Sequence, residues 1–404
     1  MMMWCCSGGG RLRFLLGLPL FLVICFSGVA EAEPYLAVRY GYKCSKCHVN
    51  PTGGGMRNAF GNIMTQTVLP EWTVSADDLR NFVRLGESTT AILGEDPELS
   101  AEAGAAPTKQ TPDSTFYPGR LSRRLAVGAD FRFNNRSTWS DGSSTNTVDI
   151  TEGNLYAHFD LLGDVLGLYL DETVAPGGAS SREVYALLRG PWESYLKAGR
   201  MMLPWGFRLQ DDSAFIRELT GFNYGVQDLG VEVGMEPGPF SLSLAVSNGT
   251  GGSSDNNKDK QVTGVASFIQ RYYRIGGQAG WNNTPSVKSV AVGGFGGVNL
   301  GRFTLLGEID LMVDELKSIP GEPLAHKLIL YGAANYQLTR GTNLKFTYDW
   351  VDPNTSDSHD RVARVSTGVE LFVTQFVQLR SFYRFRDMPG DDMSLLDFEI
   401  HLFF

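Results

Sequence analysis

Two thiols and an imidazole stand together at Cys44-Ser45-Lys46-Cys47-His48. The spacing C-x-x-C-H is the attachment pattern of a c-type haem. Two thiols add to the two vinyl groups on one edge of a porphyrin, and two intervening residues let both sulfurs reach that edge. The next residue then falls beneath the ring, where an imidazole nitrogen ligates iron as the proximal ligand. Cys44, Cys47 and His48 are therefore the candidate cofactor-binding residues, with His48 the candidate metal ligand, and the expected cofactor is one covalent haem c. Three other chemistries compete. A plain Cys44–Cys47 disulfide suits an oxidising compartment. A thioredoxin-like site wants a βαβ context, absent here, and a zinc site wants four ligands where only three donors are near. For the sixth iron position the sequence offers Met56 and Met64 as local thioethers and His158 as a distant imidazole, or an open site.

Export supports the haem chemistry. Phe14 to Phe26 is the longest apolar run; it follows Arg11 and Arg13 and precedes Ala30-Glu31-Ala32. A basic start, a short apolar stretch and an A-x-A site predict a secretory signal peptide over residues 1–32. Of five cysteines, Cys5, Cys6 and Cys25 leave with it, so the exported chain keeps only the motif pair. The net charge moves from -9 to -10, and that acidity disfavours nucleic acid as a partner.

The motif lies in a short segment, residues 33–72, followed by the glycine-rich loop Asn50-Pro51-Thr52-Gly53-Gly54-Gly55. About 40 residues cannot bury a haem and a core of their own, so the haem must lean on another part of the chain. Residues 73–122 are expected to be a short helix, opening at Ser75-Ala76-Asp77-Asp78 and running to about Leu85, and then a linker. The chain has 404 residues and 47 glycines, about 12% against a usual ~7%. Mean hydropathy is -0.12, and the absence of an apolar run of roughly 20 residues excludes a helical membrane protein.

From residue 123 to 404 the pattern has period two, which predicts an all-β unit. Phe240, Leu242, Leu244 and Val246 alternate with Ser241, Ser243 and Ala245; Leu344, Phe346, Tyr348 and Trp350 alternate with Lys345, Thr347 and Asp349. Turn signals separate these runs, among them Pro176-Gly177-Gly178, Glu236-Pro237-Gly238, Arg340-Gly341 and Pro389-Gly390. Long polar stretches, Gly249 to Lys260 and Asp352 to Asp360, are expected as outside loops. The last strand alternates Leu396, Phe398, Ile400 and Leu402 with Asp397, Glu399 and His401 and closes on Phe404. Export, alternation and an aromatic terminus together predict a transmembrane antiparallel β-barrel of about 16 strands in the cell outer membrane, in contact with lipid. Its polar alternates, including Asp130, Arg132, His158, Asp160, Arg189, Glu232, Glu308, Asp310, Asp349, Arg380 and Arg384, would then face the lumen.

One exported chain carrying an N-terminal C-x-x-C-H and a porin-like barrel resembles the fused outer-membrane cytochrome–porins of extracellular iron oxidation. The resemblance rests on Arg39-Tyr40-Gly41-Tyr42-Lys43 leading into the motif, on Phe60-Gly61 after it, and on the barrel ending at Phe404. It implies an electron conduit, with Cys44 and Cys47 anchoring the haem and His48 ligating it, an extracellular reductant such as Fe(II) as donor and a periplasmic c-type cytochrome as acceptor. Gly199 to Gly206 also looks similar to phosphate-type porins. The alternative is a passive porin whose haem-bearing segment is a plug or sensor. A haem enzyme such as a peroxidase ranks last, since no sequence-local distal histidine marks an acid–base site.

Overall fold

The computed structural model describes residues 33–72, 86–88, 116–140, 142–252, 255, 257–284, 286–317, 325–357, 359–390 and 392–404. The signal peptide expected over 1–32 and the helix expected near 75–85 lie outside them. Within the expected linker two short described pieces pair with each other. Strand β1 (Gly86–Ser88) pairs antiparallel with β2 (Phe116–Pro118), and the hydroxyl of Tyr117 donates to the carbonyl of Arg57 at 3.0 Å.

Sixteen strands, β3 (Leu125–Ser140) through β18 (Met393–Phe403), form one closed antiparallel barrel. Each strand pairs with the next in sequence, and β18 closes the ring on β3, with Phe398 opposite Asn135. Closure leaves no unpaired edge, which a bilayer requires because hydrocarbon offers backbone groups no partner. The period-two pattern sorts the faces as expected. Phe240, Leu242, Leu244 and Val246 point out, while Ala245 and Ser247 are buried inside. Outward Leu155, Val231, Val233, Ile309, Leu344 and Phe346 continue an apolar belt around the ring. Aromatic residues edge it at both ends: Phe159, Phe240, Tyr272 and Phe303 at one, Trp281, Tyr348 and Phe385 at the other. A closed barrel wearing an apolar belt between aromatic girdles is built for the bacterial outer membrane, and there this chain resides.

The two ends differ. At one, neighbouring strands are joined by short turns at 161–165, 191–193, 236–239, 271–272, 301–302, 338–341 and 375–376, and the ring's first and last residues lie there too. At the other end are the connections 248–260 and 353–361, which hold the polar stretches expected outside, and the 26 residues between β7 (Ser194–Met201) and β8 (Asp228–Met235). Short turns mark the periplasmic end and longer loops the extracellular one. Loop 202–227 folds back into the barrel rather than outward. Its Phe207 packs edge-on against inward Phe295, and its short helix α3 (Phe215–Glu218) is fixed by the Asp349 carboxylate accepting from the Phe215 amide at 3.0 Å.

Substituting Ile309, outward-facing, 47% exposed and midway along β13 (Phe303–Leu316), by arginine should cost about 2–4 kcal/mol, the cost of a cation at the bilayer midplane. Denaturant unfolding from lipid vesicles measures it; a loss below about 1 kcal/mol would place Ile309 near an interface.

Candidate cofactor cavity

Residues 33–72 sit inside the barrel, across its periplasmic mouth. Helix α1 (Pro34–Tyr40) starts on proline, whose missing N–H costs a helix nothing at that position. It ends at Gly41 in the left-handed region, where the Tyr42 amide turns back to the Ala37 carbonyl at 2.9 Å. A single 3-10 turn, Cys44–Lys46, carries the first thiol. The amides of Cys47 and His48 both donate to the Cys44 carbonyl, at 3.2 and 3.0 Å, which curls the two cysteines and the histidine around one loop. The chain then doubles back. Val49 bonds to the Met56 carbonyl at 3.0 Å, and His48 and Arg57 form an antiparallel bridge. Helix α2 (Ala59–Thr67) follows.

Asn58 joins these pieces. Its Oδ1 caps α2 by accepting from the Gly61 amide at 3.0 Å, and its Nδ2 donates to the carbonyls of Ser45 and Lys46 at 3.0 and 3.1 Å. The capping preference of asparagine before Ala59-Phe60-Gly61 was the available sequence signal, and it went unread. Gly61 has its own reason: a Cβ there would strike the Cys47 carbonyl. The helix can lie against the cysteine turn only because that side chain is missing.

The segment is fastened to the barrel wall on many sides. Glu33 pairs with Lys345 at 2.9 Å, and Tyr35 donates to the Glu370 carboxylate. Lys43 pairs with Glu193 at 2.8 Å, Arg39 donates to Asn343 at 3.2 Å, and the Glu71 amide donates to the Phe372 carbonyl at 2.8 Å. Deeper in, the Met56 amide donates to the Tyr169 hydroxyl at 3.0 Å, and a buried network links Asn50 to Glu183 and Lys197. Lys197 is fully buried, 2.9 Å from the equally buried Glu232, which also accepts from Tyr195 at 2.8 Å. The cysteine segment thus leans on the barrel interior.

A cavity with about 1150 Å³ of empty space, part of it open to solvent, lies between this segment and loop 202–227. Cys44, Cys47 and His48 all line it, as do Arg57 and Met64 from the segment, Trp205, Phe207 and Arg208 from the loop, and Arg274 from the wall. Neither cysteine is in a disulfide. His48 is 4% exposed and its Nδ1 has no hydrogen-bond partner. Burial, and then the nearby Arg57 cation, push its pKa down to about 4 against the opposing backbone contacts of Gly55 and Gly54, so the imidazole is neutral at pH 7. Burial, and then Cys44, push the Cys47 thiol up to about 12. Among the described residues no group of three or more His, Cys, Asp or Glu side chains converges.

Of the sixth-position candidates, Met64 lines the cavity. Met56 is buried within a cluster with Tyr169, Tyr185 and Trp205. His158 faces inward at the periplasmic end of its strand, 3.5 Å from Asp160, and is not among the lining residues. The lumen residues expected from the sequence face inward, most of them in pairs: Arg132 with Glu152 at 2.6 Å, Arg364 with Asp349 and Arg380 with Glu399 at 2.9 Å, and Arg384 with Asp211 at 3.0 Å. The sequence reading did not anticipate the inward aromatic wall of Tyr169, Tyr185 and Tyr195, nor the inward course of loop 202–227.

No protein-family model matches this chain, and no curated protein matches it by sequence. Solved structures do. OmpT of Vibrio cholerae, an outer membrane protein, aligns at TM-score 0.56 with 11% identity, covering 70% of this chain and 100% of its own. An anion-selective porin from Comamonas acidovorans aligns at 0.55 with 11% identity, over 69% and 99%. OprB of Pseudomonas putida aligns at 0.54 with 10% identity, over 70% and 95%. The barrel has the porin fold. The covered share of this chain is about equal to the length of its barrel, so the fold likeness concerns the sleeve and is silent on the chemistry of the cysteine segment.

Replacing Lys197 by methionine leaves Glu232 buried and uncompensated and removes two contacts to Asn50 and Thr52, at 3.3 and 3.4 Å. We expect a loss of about 3–5 kcal/mol, the usual cost of breaking a buried pair from one side, read by chemical denaturation of the folded protein.

Proposed function

We propose that this chain is a haem-bearing electron conduit of the outer membrane, in which a porin-type barrel holds one covalent haem c and electrons pass from an extracellular donor, such as Fe(II), to a periplasmic c-type cytochrome. One observation carries the reading: Cys44, Cys47 and His48 line the same cavity, inside the barrel and next to its periplasmic mouth. The residues present fit the group. Two unbridged thiols flank one turn, a neutral buried imidazole with an orphaned nitrogen follows them, and the cavity's other walls bring aromatic and aliphatic side chains. Cys44 and Cys47 would hold the haem, His48 would ligate its iron, and Met64 is the sixth-position candidate on the cavity wall. Bound there, the haem would supply one-electron exchange.

The chain's own residues do the rest. The barrel carries the apolar belt and isolates the lumen from lipid. The segment 33–72, pinned from Glu193 on one side to Phe372 on the other, stands between lumen and periplasm, so a solute entering from outside meets the cavity before it meets an exit. Loop 202–227 narrows the approach. That arrangement suits a device that admits a donor, stops it, and lets only the electron continue. It is the arrangement that the resemblance to fused cytochrome–porins leads one to expect.

A second reading has its own support. The solved structures with this fold include an anion-selective porin, and arginines line this lumen. On that reading the chain is a passive porin and the segment a haem-bearing plug or sensor.

Protein made with a cytochrome c maturation system separates the two. The conduit requires a c-type absorption spectrum that turns to the reduced form when Fe(II) is added, and its loss when Cys44 and Cys47 are both replaced by serine. It also requires low ion conductance in planar bilayers that rises when residues 33–72 are deleted. A haem that stays oxidised beside a well-conducting intact pore would favour the porin, and the absence of covalent haem would reduce the motif to a plug.

A further inference from the structure

The cysteine turn stands at the level of the periplasmic rim. Lys43, just before Cys44, pairs with Glu193 in turn 191–193 at 2.8 Å, and Ser45, just after it, donates to the Glu236 carboxylate in turn 236–239. Around it the rim is basic. Arg271, Arg302 and Arg340 are each exposed, and each is the only charged residue of its turn. Arg123 and Arg124, just before β3, are exposed as well. Against these five arginines, the described residues of the turns and of the segment expose three carboxylates, Glu71, Asp164 and Glu193, and Glu193 already answers Lys43. The whole chain carries -9, so this end reverses the sign of the chain as a whole.

Two of these arginines border the segment rather than the lipid belt. Arg340 donates to the carbonyl of Thr67, the last residue of α2, at 2.7 Å, so its side chain reaches in over the segment. The turn carrying Arg271 lies so close to the segment that a Cβ on Gly41 would stand 2.6 Å from the Arg271 Cα. Lys46, between the two cysteines, lies over the Phe60 ring, 5.0 Å from its centroid. Trp72, the segment's last residue, is 62% exposed beside the turn of Arg340, where Glu71 accepts from the Thr339 hydroxyl at 3.2 Å. Arginine and tryptophan are the residues that most often anchor protein interfaces, and here they surround the segment that carries the motif thiols. Phospholipid headgroups meet the outside of the ring. What reaches this face from the periplasm is a soluble body, and its electrostatic complement is acidic.

We propose that this periplasmic face, with Lys46, Arg271, Arg340 and Trp72, is the docking surface for a soluble electron carrier whose own contact face is acidic; this rests on the conduit reading above and gives its acceptor a charge. Docking there sets the carrier against the turn that holds Cys44 and Cys47. The carrier gains one electron and the conduit loses one, with no bond formed or broken. Opposite charges speed such encounters, and salt screens them. Arginines at a rim therefore act first on the rate of association.

The test uses the full chain matured with haem, in phosphatidylcholine discs, and two soluble oxidised c-type cytochromes as probes, one acidic and one basic. Binding to immobilised discs and stopped-flow oxidation of the reduced protein are the readouts. We expect the acidic probe to bind about tenfold more tightly than the basic one at low salt, and to lose that preference at high salt. Arg271→Glu combined with Arg340→Glu should slow association of the acidic probe about tenfold with covalent haem retained. Lys288→Glu, at the extracellular end, where Lys288 pairs with Glu315 at 3.4 Å, should leave that association unchanged. Equal binding of both probes, or an acidic probe indifferent to salt and to the double variant, overturns the proposal and leaves the haem reading standing. So does a double variant that binds the acidic probe normally but retains less phosphatidylglycerol, which assigns the arginines to lipid. Wild-type protein without covalent haem overturns both. If the double variant does not fold, the wild-type preference and its salt dependence decide alone.

Discussion

A sixteen-stranded ring encloses more space than its own inward side chains can fill. The rest of this structure answers that surplus. Two insertions occupy the interior, one from before the barrel (residues 33–72) and one from within it (202–227). The inserted loop brings what an open, water-filled lumen has no need of, Trp205 stacked on Phe222 with centroids 4.2 Å apart, and the strands beside it add Tyr169 stacked on Tyr185 at 5.0 Å. The lumen therefore has a packed, partly apolar interior, and the cysteine turn and its cavity are set within that packing rather than appended to it.

Packing charged strands against two insertions makes electrostatics exacting. Buried ions must be paired or they destabilise. The pairs run between strands, as with Arg380 and Glu399, and between strand and insertion, as with Lys345 and Glu33 or Arg384 and Asp211. In the inward loop, burial raises the Asp211 carboxyl, but Arg384 and Arg364 outweigh it and hold the group well below the usual carboxylate range. The loop's docking charge is thus present at every pH above that range.

Much of the sleeve was legible from the residues alone, because strand faces are a local property. Alternation at Phe240–Val246 and Leu344–Trp350 sorted outside from inside, and Gly- and Pro-bearing pairs marked the turns. The count of about sixteen followed from the length available. The interior was not legible. Tyr35 meets Glu370 across 335 residues of sequence, and Glu33 meets Arg380 across 347, and no local pattern encodes such partners. Clues were present all the same. Tyr169, Tyr185 and Leu187 put bulk on a face that a water-filled lumen would keep polar, and Trp205, Phe207, Phe215 and Ile216 are too apolar for a loop in water. The cysteine motif was readable at once, because its chemistry depends on spacing within five residues.

The fastening of the N-terminal segment also sets an order in time. Its partners come from opposite arcs of the ring: Tyr169, Glu183 and Lys197 on one, Lys345, Glu370 and Phe372 on the other. Those arcs face each other only after β18 has met β3. Contacts that span the whole chain form late, since loop-closure entropy must be met before they stabilise anything. Residues 33–72 precede the barrel in the chain yet can dock fully only after the ring closes, and until then their two thiols lie open to whatever acts on them.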